Sequence, residues 1–182
     1  MWGKQMLDNF NKSFDLVIGH EGGFSNDQRD KGNHLPDGRE GSTMWGCTQY
    51  NYEQYVGHPL TQEDMKKLTP NDVKPLYKKN YWDAVHGDDL PGGIDYAAFD
   101  FAINAGPSAS RKLIQKALGV NADGAFGPVT LAAINAADEK ELLQKFTDTK
   151  SLFYINLNNP VYIKGWLKRV ADVQSTAAQM IG

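Results

Sequence analysis

The segment from Ile94 to Ala105 constrains the fold more than any other part of the sequence. It is apolar nearly all round and Gly106-Pro107 follows it directly, so the pattern predicts a helix buried in the middle of a core. Asp100 and Asn104 are its polar exceptions, and their four-residue spacing places them on one face of that helix. A buried polar pair needs hydrogen-bonding partners or a cleft to face.

Helical periodicity and capping signals recur along the rest of the chain, whereas strand signals are few. Helices are predicted over Thr48–Val56, Thr61–Leu68, Thr69–Trp82 and Ser108–Leu118, and further helices are predicted to begin at Pro128 and after the N-cap Asp138. Pro75 would kink the helix over Thr69–Trp82 or delay its start. A last helix is predicted to carry Trp166, Val170, Val173 and Ala177 on one face. Residues 25–46 are rich in Gly, Asp and Asn and indicate a long loop or short hairpin. The sequence therefore predicts a mainly α fold, either all-α or with a small β-hairpin after the first helix.

Length, charge and cysteine content narrow the class of protein. The 182 residues suffice for one domain with a real core or for two small lobes, and the net charge of −3 argues against a nucleic-acid binder or a membrane-surface protein driven by electrostatics. The sequence contains no run of about 18 apolar residues, so it predicts no membrane span. Cys47 is the only cysteine, which excludes an intramolecular disulfide, and its apolar-aromatic neighbourhood favours a buried small hydrophobe over a nucleophile.

Residues 1–20 are amphipathic and carry Asp8 and Asp15, so they do not resemble a signal peptide. The chain is therefore expected to be made in a cytoplasm, and any action outside it would need a separate release route.

Glu21 is the candidate for acid chemistry. The preceding apolar residues recur at helical spacing: Met6, Leu7, Phe10, Phe14, Val17 and Ile18. At about 100° per residue, Glu21 falls within roughly 20° of the direction of Phe10, on the apolar face. With the helix predicted to end at Gly22-Gly23, burial and the helix dipole would both raise the pKa of Glu21, as a general acid requires. The competing interpretation is a helix-terminal residue turned to solvent.

A second, ionised carboxylate is available in the polar loop. Glycoside hydrolysis usually needs two carboxylates, one protonated and one ionised, and solvated Asp27 or Asp30 would keep a low pKa. The hydroxyl of Thr43 could help to hold an attacking water. The alternative for both aspartates is ordinary turn chemistry.

Four motifs resemble the glycoside hydrolase family 108, the muramidase-type endolysins, and occur in the right order: HEGGFSND at 20–27, YWDAVHGDDLP at 81–91, DYAAFDFAINAGP at 95–107 and DGAFGP at 123–128. The resemblance covers roughly Phe14 to Val173. It implies a two-lobed lysozyme-like fold and cleavage of the β-1,4 bond between N-acetylmuramic acid and N-acetylglucosamine. It also implies a peptidoglycan-binding role for the segment around the fourth motif.

The resemblance also implies which residues act. Glu21 matches the family's catalytic glutamate, and phage-type lysozymes of a sister family carry an Asp nine positions on and a Thr soon after. Asp30 has that spacing, and Thr43 matches once the extra residues Gly32 to Ser42 are allowed for. Asp27 remains the rival second carboxylate. The expected mechanism is inverting: Glu21 protonates the glycosidic oxygen, and Asp30, with Thr43, activates a water on the opposite face.

Substrate contacts are expected from a further set of side chains: Asn26, Asp27, Trp82, Asp100 and Asn104. Aromatic faces suit the apolar faces of sugars, which makes Tyr81, Trp82, Tyr96 and Trp45 candidates, although core packing is the alternative for each. No cofactor and no metal are expected. The histidines His20, His34, His58 and His86 lack metal-ligand spacing, and the acidic residues Asp27, Asp30, Asp37 and Glu40 lack the EF-hand pattern.

The predicted organisation is a catalytic lobe over residues 1–90 and a helical C-terminal lobe over residues 91–182, packed as one domain. A monomer that acts on peptidoglycan glycan strands is expected, with no nucleic-acid partner and no membrane segment. As a bacteriolytic phage endolysin it would reach the cell wall or periplasm through a holin-type lesion. The alternatives are a lytic transglycosylase, which needs one acid and no water-activating carboxylate, and a non-catalytic wall-binding protein.

Overall fold

The computed structural model describes the backbone of residues 2–182 and the side chains of residues 8–182, so Met6 and Leu7 lie outside the described side chains. The chain forms two compact units. One contains Phe14–Lys79, and the other contains Met1–Ser13 together with Asn80–Gly182. Helix α1 (Trp2–Ile18) contributes residues to both. The predicted boundary at residue 90 stays a prediction.

The unit of residues 14–79 combines short helices with one hairpin. After α1 come β1 (Thr43–Met44), β2 (Cys47–Thr48), α2 (Gln49–Val56), α3 (Gln62–Lys66) and α4 (Pro70–Tyr77). Capping boxes are present at the starts of α3 and α4, and Gly57 ends α2 in the left-handed conformation. Pro75 lies inside α4, and the chain continues as a π-helical turn over Lys78–Trp82 instead of the single α-helix predicted to Trp82.

The β1–β2 hairpin confirms the expected small β element. Met44 pairs with Cys47, so Trp45 and Gly46 form a two-residue turn. Their φ angles are +52° and +73°, the combination that a type I′ turn requires at its two central residues. A bulky residue rarely adopts positive φ, and Trp45 is held there by its indole N–H, which donates to the carbonyl oxygen of Leu68 at 2.7 Å.

The second unit is built around α5 (Ile94–Ala105), followed by α6 (Pro107–Leu118), α7 (Pro128–Ala136), α8 (Glu139–Asn156) and α9 (Ile163–Met180). Every residue of α5 from Ile94 to Ala102 is buried, which confirms the predicted central helix. The ring of Phe101 packs edge-on against Phe153 and Tyr154 at centroid distances of 5.2 and 5.7 Å. Within residues 2–182 no helix is long and apolar enough to cross a membrane.

Candidate active site

Glu21 lies in a turn directly after α1. The helix ends at Ile18, earlier than predicted, because Gly19 follows and the next bonds run from the N–H of His20 to Val17 O and from the N–H of Glu21 to Ile18 O, at 2.9 and 3.3 Å. These bonds span three residues, not the four of an α-helix. The prediction that Glu21 lies within the helix is therefore wrong. Its exposure is intermediate, between the buried acid and the solvent-facing residue that the sequence allowed.

The carboxyl group of Glu21 is held against the turn of the β1–β2 hairpin. A Cβ atom placed on Gly46 would lie 2.5 Å from Glu21 Oε2, 2.8 Å from Glu21 Cδ and 2.8 Å from the hydroxyl oxygen of Tyr77. A side chain at position 46 would therefore displace the carboxyl of Glu21, the hydroxyl of Tyr77 or the turn itself. Gly46 itself is exposed, so solvent reaches the point on the turn that the carboxyl group contacts.

Tyr77 connects this turn to the core of the unit. Its ring is buried against Phe14 at a centroid distance of 5.7 Å, and its hydroxyl donates to the carbonyl oxygen of Trp45 at 2.7 Å. The Tyr77 hydroxyl and the Glu21 carboxyl thus both lie against Gly46, in a turn that packs on the core of the same unit. This arrangement gives the carboxyl a defined position, which proton donation to a bound substrate requires.

The loop that carries the candidate aspartates is bonded to the same hairpin. Ser25 and Thr43 exchange both backbone hydrogen bonds, from the N–H of Ser25 at 2.9 Å and from the N–H of Thr43 at 2.7 Å. Fully buried Asn33 makes the second connection: Thr43 Oγ1 donates to Asn33 Oδ1 at 2.8 Å, and Asn33 Nδ2 donates to Asp27 O at 2.9 Å. The hairpin therefore fixes Glu21, Thr43 and the loop that contains Asp30.

The two candidate aspartates differ in their surroundings. Asp27 forms an ion pair with Arg29 at 2.6 Å, and the hydrogen bonds from Arg29 lower the pKa of Asp27 to about 2. Asp30 is exposed, and its Oδ1 accepts a hydrogen bond from the N–H of Gly32 at 2.8 Å, as the N-cap of a 3₁₀ turn over Lys31–Asn33. Both aspartates therefore stabilise turns, which was the alternative to a catalytic role. Asp30 accepts fewer hydrogen bonds than Asp27, so more of its lone pairs are available to a water.

The extra residues between Gly32 and Ser42 are anchored to α2. Arg39 donates to both carboxylate oxygens of Glu53, at 3.0 and 2.8 Å, and to Leu60 O at 3.3 Å. These hydrogen bonds from Arg39 are the main cause that lowers the pKa of buried Glu53 to about 2. The loop is therefore an ordered part of the unit. Asn26, a predicted substrate contact, is exposed and donates to Gln62 Oε1 at 3.3 Å.

Trp82 occupies a different environment from the one expected of a substrate-binding residue. The side chain has no exposed surface, its indole N–H donates to Asp88 Oδ1 at 2.7 Å, and its ring contacts Phe10 and Phe99 edge-on at 5.5 and 5.6 Å. A ring without exposed surface offers no face to a sugar. In this structure Trp82 is part of the core, which was the alternative interpretation.

The polar pair on α5 finds protein partners. Asp100 is buried, and its Oδ1 accepts hydrogen bonds from Arg169 Nε and Nη2 at 3.1 and 2.7 Å. Asn104 is exposed and donates from Nδ2 to the backbone oxygen of Asp100 at 3.3 Å. The ion pair with Arg169 explains why a carboxylate sits on the central helix, and of the two side chains the amide of Asn104 is the one that a ligand could reach.

Sequence reasoning missed three residues of this site: Asn33, Gly46 and Tyr77. Their roles depend on contacts between segments far apart in the chain. The local signal that was available is the Trp-Gly pair at 45–46, since glycine is common in two-residue hairpin turns.

Cys47 is buried as predicted, and burial raises the pKa of its thiol to about 12, which leaves it inert as a nucleophile. Among the described side chains, no group of three His, Cys, Asp or Glu residues could hold a metal ion.

Comparison with known proteins assigns both halves of the chain. Residues 14–106, just over half of the sequence, match the family model described as glycosyl hydrolase 108, and residues 109–171 match the model described as a predicted peptidoglycan domain. The solved structure of SagA from Brucella abortus is 32% identical, with a TM-score of 0.77, over 94% of this chain and 94% of that chain. The comparison with curated proteins gave no match.

These similarities connect the geometry around Glu21 to a reaction class. The fold is mainly helical and lysozyme-like, with one two-stranded sheet among the described residues. The hairpin, Glu21 and the aspartate loop all lie in the part that matches the hydrolase model, and most of α6, all of α7 and α8, and the first half of α9 lie in the part that matches the peptidoglycan model. The chain therefore belongs to the glycosyl hydrolase 108 family and is a glycoside hydrolase that acts on peptidoglycan.

Proposed function

We propose that this hydrolase is an N-acetylmuramidase, a lysozyme-type enzyme that hydrolyses the β-1,4 bond between N-acetylmuramic acid and N-acetylglucosamine. The observation that carries the proposal is the position of the Glu21 carboxyl: partly buried, pressed against Gly46, and on the hairpin that also anchors Asp30 and Thr43. A positioned acid, with a second carboxylate in the same compact unit, supports the two-carboxylate chemistry that glycosidases use.

Glu21 acts as the general acid in this mechanism. It donates its proton to the glycosidic oxygen as the bond to the anomeric carbon breaks, and the leaving sugar departs with a free hydroxyl. General acid catalysis of this kind contributes about 10²–10⁴-fold to the rate. The contacts of Gly46 and Tyr77 support the role, because they restrict where the carboxyl can lie.

Asp30 acts as the general base, and Thr43 orients the attacking water. The hydroxyl hydrogen of Thr43 is used in the bond to Asn33, so towards a water Thr43 offers a lone pair and accepts a hydrogen bond. Asp30 takes the second proton of that water as its oxygen attacks the anomeric carbon from the face opposite Glu21. The outcome is inversion, for which carboxyl groups about 6.5–9.5 Å apart leave room for the water.

Analysis of the products tests the reaction. Mass spectrometry of digested, borohydride-reduced sacculi should show fragments that end in reduced N-acetylmuramic acid. Fragments that end in 1,6-anhydro-N-acetylmuramic acid would instead identify the lytic transglycosylase, for which Asp30 would be unnecessary. Fragments that end in reduced N-acetylglucosamine would refute the bond assignment.

We also propose a bacteriophage endolysin role. Its support is the resemblance of the four motifs to muramidase-type endolysins; a chain of this kind would act on the wall after release from the cytoplasm, as a monomer. Addition of purified protein to bacteria with a permeabilised membrane should clear the suspension. Intact suspensions with undigested walls would contradict a bacteriolytic role.

A further inference from the structure

Asn33 is a fully buried polar residue in a loop whose neighbouring positions reach the surface. Its side chain has no exposed area, whereas Gly32 is half-buried and His34 is exposed. A buried amide is unfavourable unless its donor and acceptor groups find partners. The partners of Asn33 belong to the candidate active site, so its hydrogen bonds bear on the reaction.

Hydrogen bonds from Asn33 reach both groups that are proposed to handle the attacking water. Its backbone N–H donates to Asp30 O at 3.0 Å, and its side-chain Oδ1 accepts from Thr43 Oγ1 at 2.8 Å. Its Nδ2 donates to Asp27 O at 2.9 Å, and its backbone oxygen accepts from the N–H of Gly41 at 2.7 Å. One residue therefore connects the backbone of Asp30 to the hydroxyl of Thr43.

The chemistry of these partners fixes the direction of each hydrogen bond. A backbone oxygen only accepts, so the end of the Asn33 amide that faces Asp27 O is the Nδ2 group, and Oδ1 faces Thr43. Oδ1 in turn only accepts, so the Thr43 hydroxyl donates its single hydrogen to it. Thr43 is therefore left with lone pairs, to which a water can donate but from which it cannot accept.

We propose that Asn33 is a positioning residue, which sets the orientation of the attacking water through Thr43. With the Thr43 hydroxyl turned towards Asn33, the water donates one hydrogen to Thr43 and the other to Asp30, and a lone pair of its oxygen is left for the anomeric carbon. Asp30 takes its proton as the carbon–oxygen bond forms, and the other hydrogen stays on the new hydroxyl group of the product. The inference rests on the proposed function and deepens it.

The loop holds Asn33 in place before substrate arrives. The bond from Gly41 closes residues 33–41 into a tight loop, in which the N–H of Leu35 donates to Arg39 O at 3.0 Å. Leu35 is buried, and the side chain of Arg39 is bonded to α2. Because both ends of the amide and both backbone groups of Asn33 are bonded, no reorganisation is needed when the water binds, as preorganised catalysis requires.

Ser42 forms a hydrogen bond of the same kind that reaches α2 instead of a candidate catalytic group, and it provides a matched control. Fully buried Ser42 lies next to Thr43 in the chain, and its hydroxyl donates to the amide oxygen of Gln49 at 3.2 Å. Loss of either hydroxyl leaves one buried amide oxygen without that donor. If the bond between Thr43 and Asn33 served stability alone, Ser42→Ala and Thr43→Val would have similar effects on the folded enzyme.

Steady-state kinetics on soluble glycan oligomers from peptidoglycan test the proposal. Asn33→Leu, which keeps the approximate volume of the side chain but removes both of its hydrogen bonds, and Thr43→Val should each lower kcat about tenfold or more. KM should stay within about twofold of the parent, since the water and not the sugar loses its position. Thr43→Ser, which keeps the hydroxyl, should retain most of the activity, and Ser42→Ala should keep the parent's kcat.

A double variant tests whether Asn33 acts through Thr43. In the Thr43→Val background, Asn33→Leu should lower kcat less than about twofold further, because the group that it orients is already absent. Undiminished kcat in folded Asn33→Leu, or a fully additive loss in the double variant, would overturn the proposal.

Asn33→Asp decides the question if Asn33→Leu does not fold. Its carboxyl can donate to Asp27 O only when it is protonated, and burial raises the pKa of such a group. Relative to the parent at each pH, kcat should therefore be highest at acidic pH and fall as the introduced carboxyl ionises. A ratio to the parent that does not change with pH would contradict the fixed bond directions.

Product analysis separates this inference from the muramidase assignment. Fragments from the parent that end in 1,6-anhydro-N-acetylmuramic acid would overturn both, because no water would attack. Fragments that end in reduced N-acetylmuramic acid, together with full kcat in the two Asn33 variants, would overturn the positioning role alone and leave the proposed reaction standing.

Discussion

The substitution Gly46→Ala probes the contact that positions the Glu21 carboxyl. Gly46 has φ of +73°, where a residue with a Cβ costs about 1–2 kcal/mol. The added methyl would also lie 2.5 Å from Glu21 Oε2, and an ordinary contact of at least 3.4 Å requires the carboxyl or the turn to move by about 1 Å. A displacement of this size costs roughly 100-fold in rate, or about 2.7 kcal/mol of transition-state stabilisation.

Gly57→Ala separates the backbone cost from the loss of positioning. Gly57 has φ of +82°, and no atom lies within 4 Å of the position that a Cβ would take, so alanine there brings the same strain without touching Glu21. Both variants should lose about 1–2 kcal/mol in urea unfolding. Initial rates of sacculus solubilisation should fall about 100-fold for Gly46→Ala alone. Full activity in folded Gly46→Ala, or an equal loss in Gly57→Ala, would refute the reasoning.

Four other substitutions test the two loop carboxylates and two buried charges. Asp30→Asn should reduce kcat at least 100-fold and Asp27→Asn less than tenfold, and the opposite order would make Asp27 the base. Arg39→Gln leaves the buried Glu53 carboxylate without its cation. Because the hydrogen bonds from Arg39 are the main cause that lowers the pKa of Glu53 to about 2, the pair stabilises the fold above pH 4.5, and this contribution disappears as the pH falls towards 2. Chemical unfolding should therefore show the variant less stable than the parent at pH 7 but not at pH 2. Burial lowers the pKa of Lys150 to about 8, so between pH 8 and 10.5 the unfolding free energy should rise in the parent relative to Lys150→Met, in which the buried Cys47 thiol makes it fall above pH 9. The variant should be about 1–3 kcal/mol more stable than the parent at pH 7. An unchanged pH dependence in Lys150→Met would show that another group titrates.

Local signals in the sequence predicted most of the helices because each signal acts within a few residues. Thr61 and Asp64 exchange the hydrogen bonds of a capping box, Asp138 accepts from the N–H of Glu141, and Gly119 ends α6 in the left-handed conformation. The central position of α5 also followed from composition, since a helix without a polar face must be covered on all sides. Such features depend on neighbours in the chain, and the sequence contains them directly.

The site depended on contacts that no local pattern contains. Gly46 lies against Glu21 and Tyr77, which are each more than twenty residues away from it in the sequence. Asn33 connects Thr43 to the aspartate loop through hydrogen bonds that depend on the folded hairpin. Trp82 shows the converse error: a motif residue with the right chemistry for a sugar contact is enclosed by Phe10 and Phe99. Periodicity identifies a residue's face but not what covers that face.

The rate of sacculus solubilisation by Glu21→Gln tests the central claim most directly. Glutamine keeps the shape of the side chain beside Gly46 but has no acidic proton to transfer to the glycosidic oxygen. With an unchanged thermal midpoint, the account predicts a loss of at least about 10²-fold relative to the parent. Solubilisation at the parent's rate by this variant would show that the acid lies elsewhere.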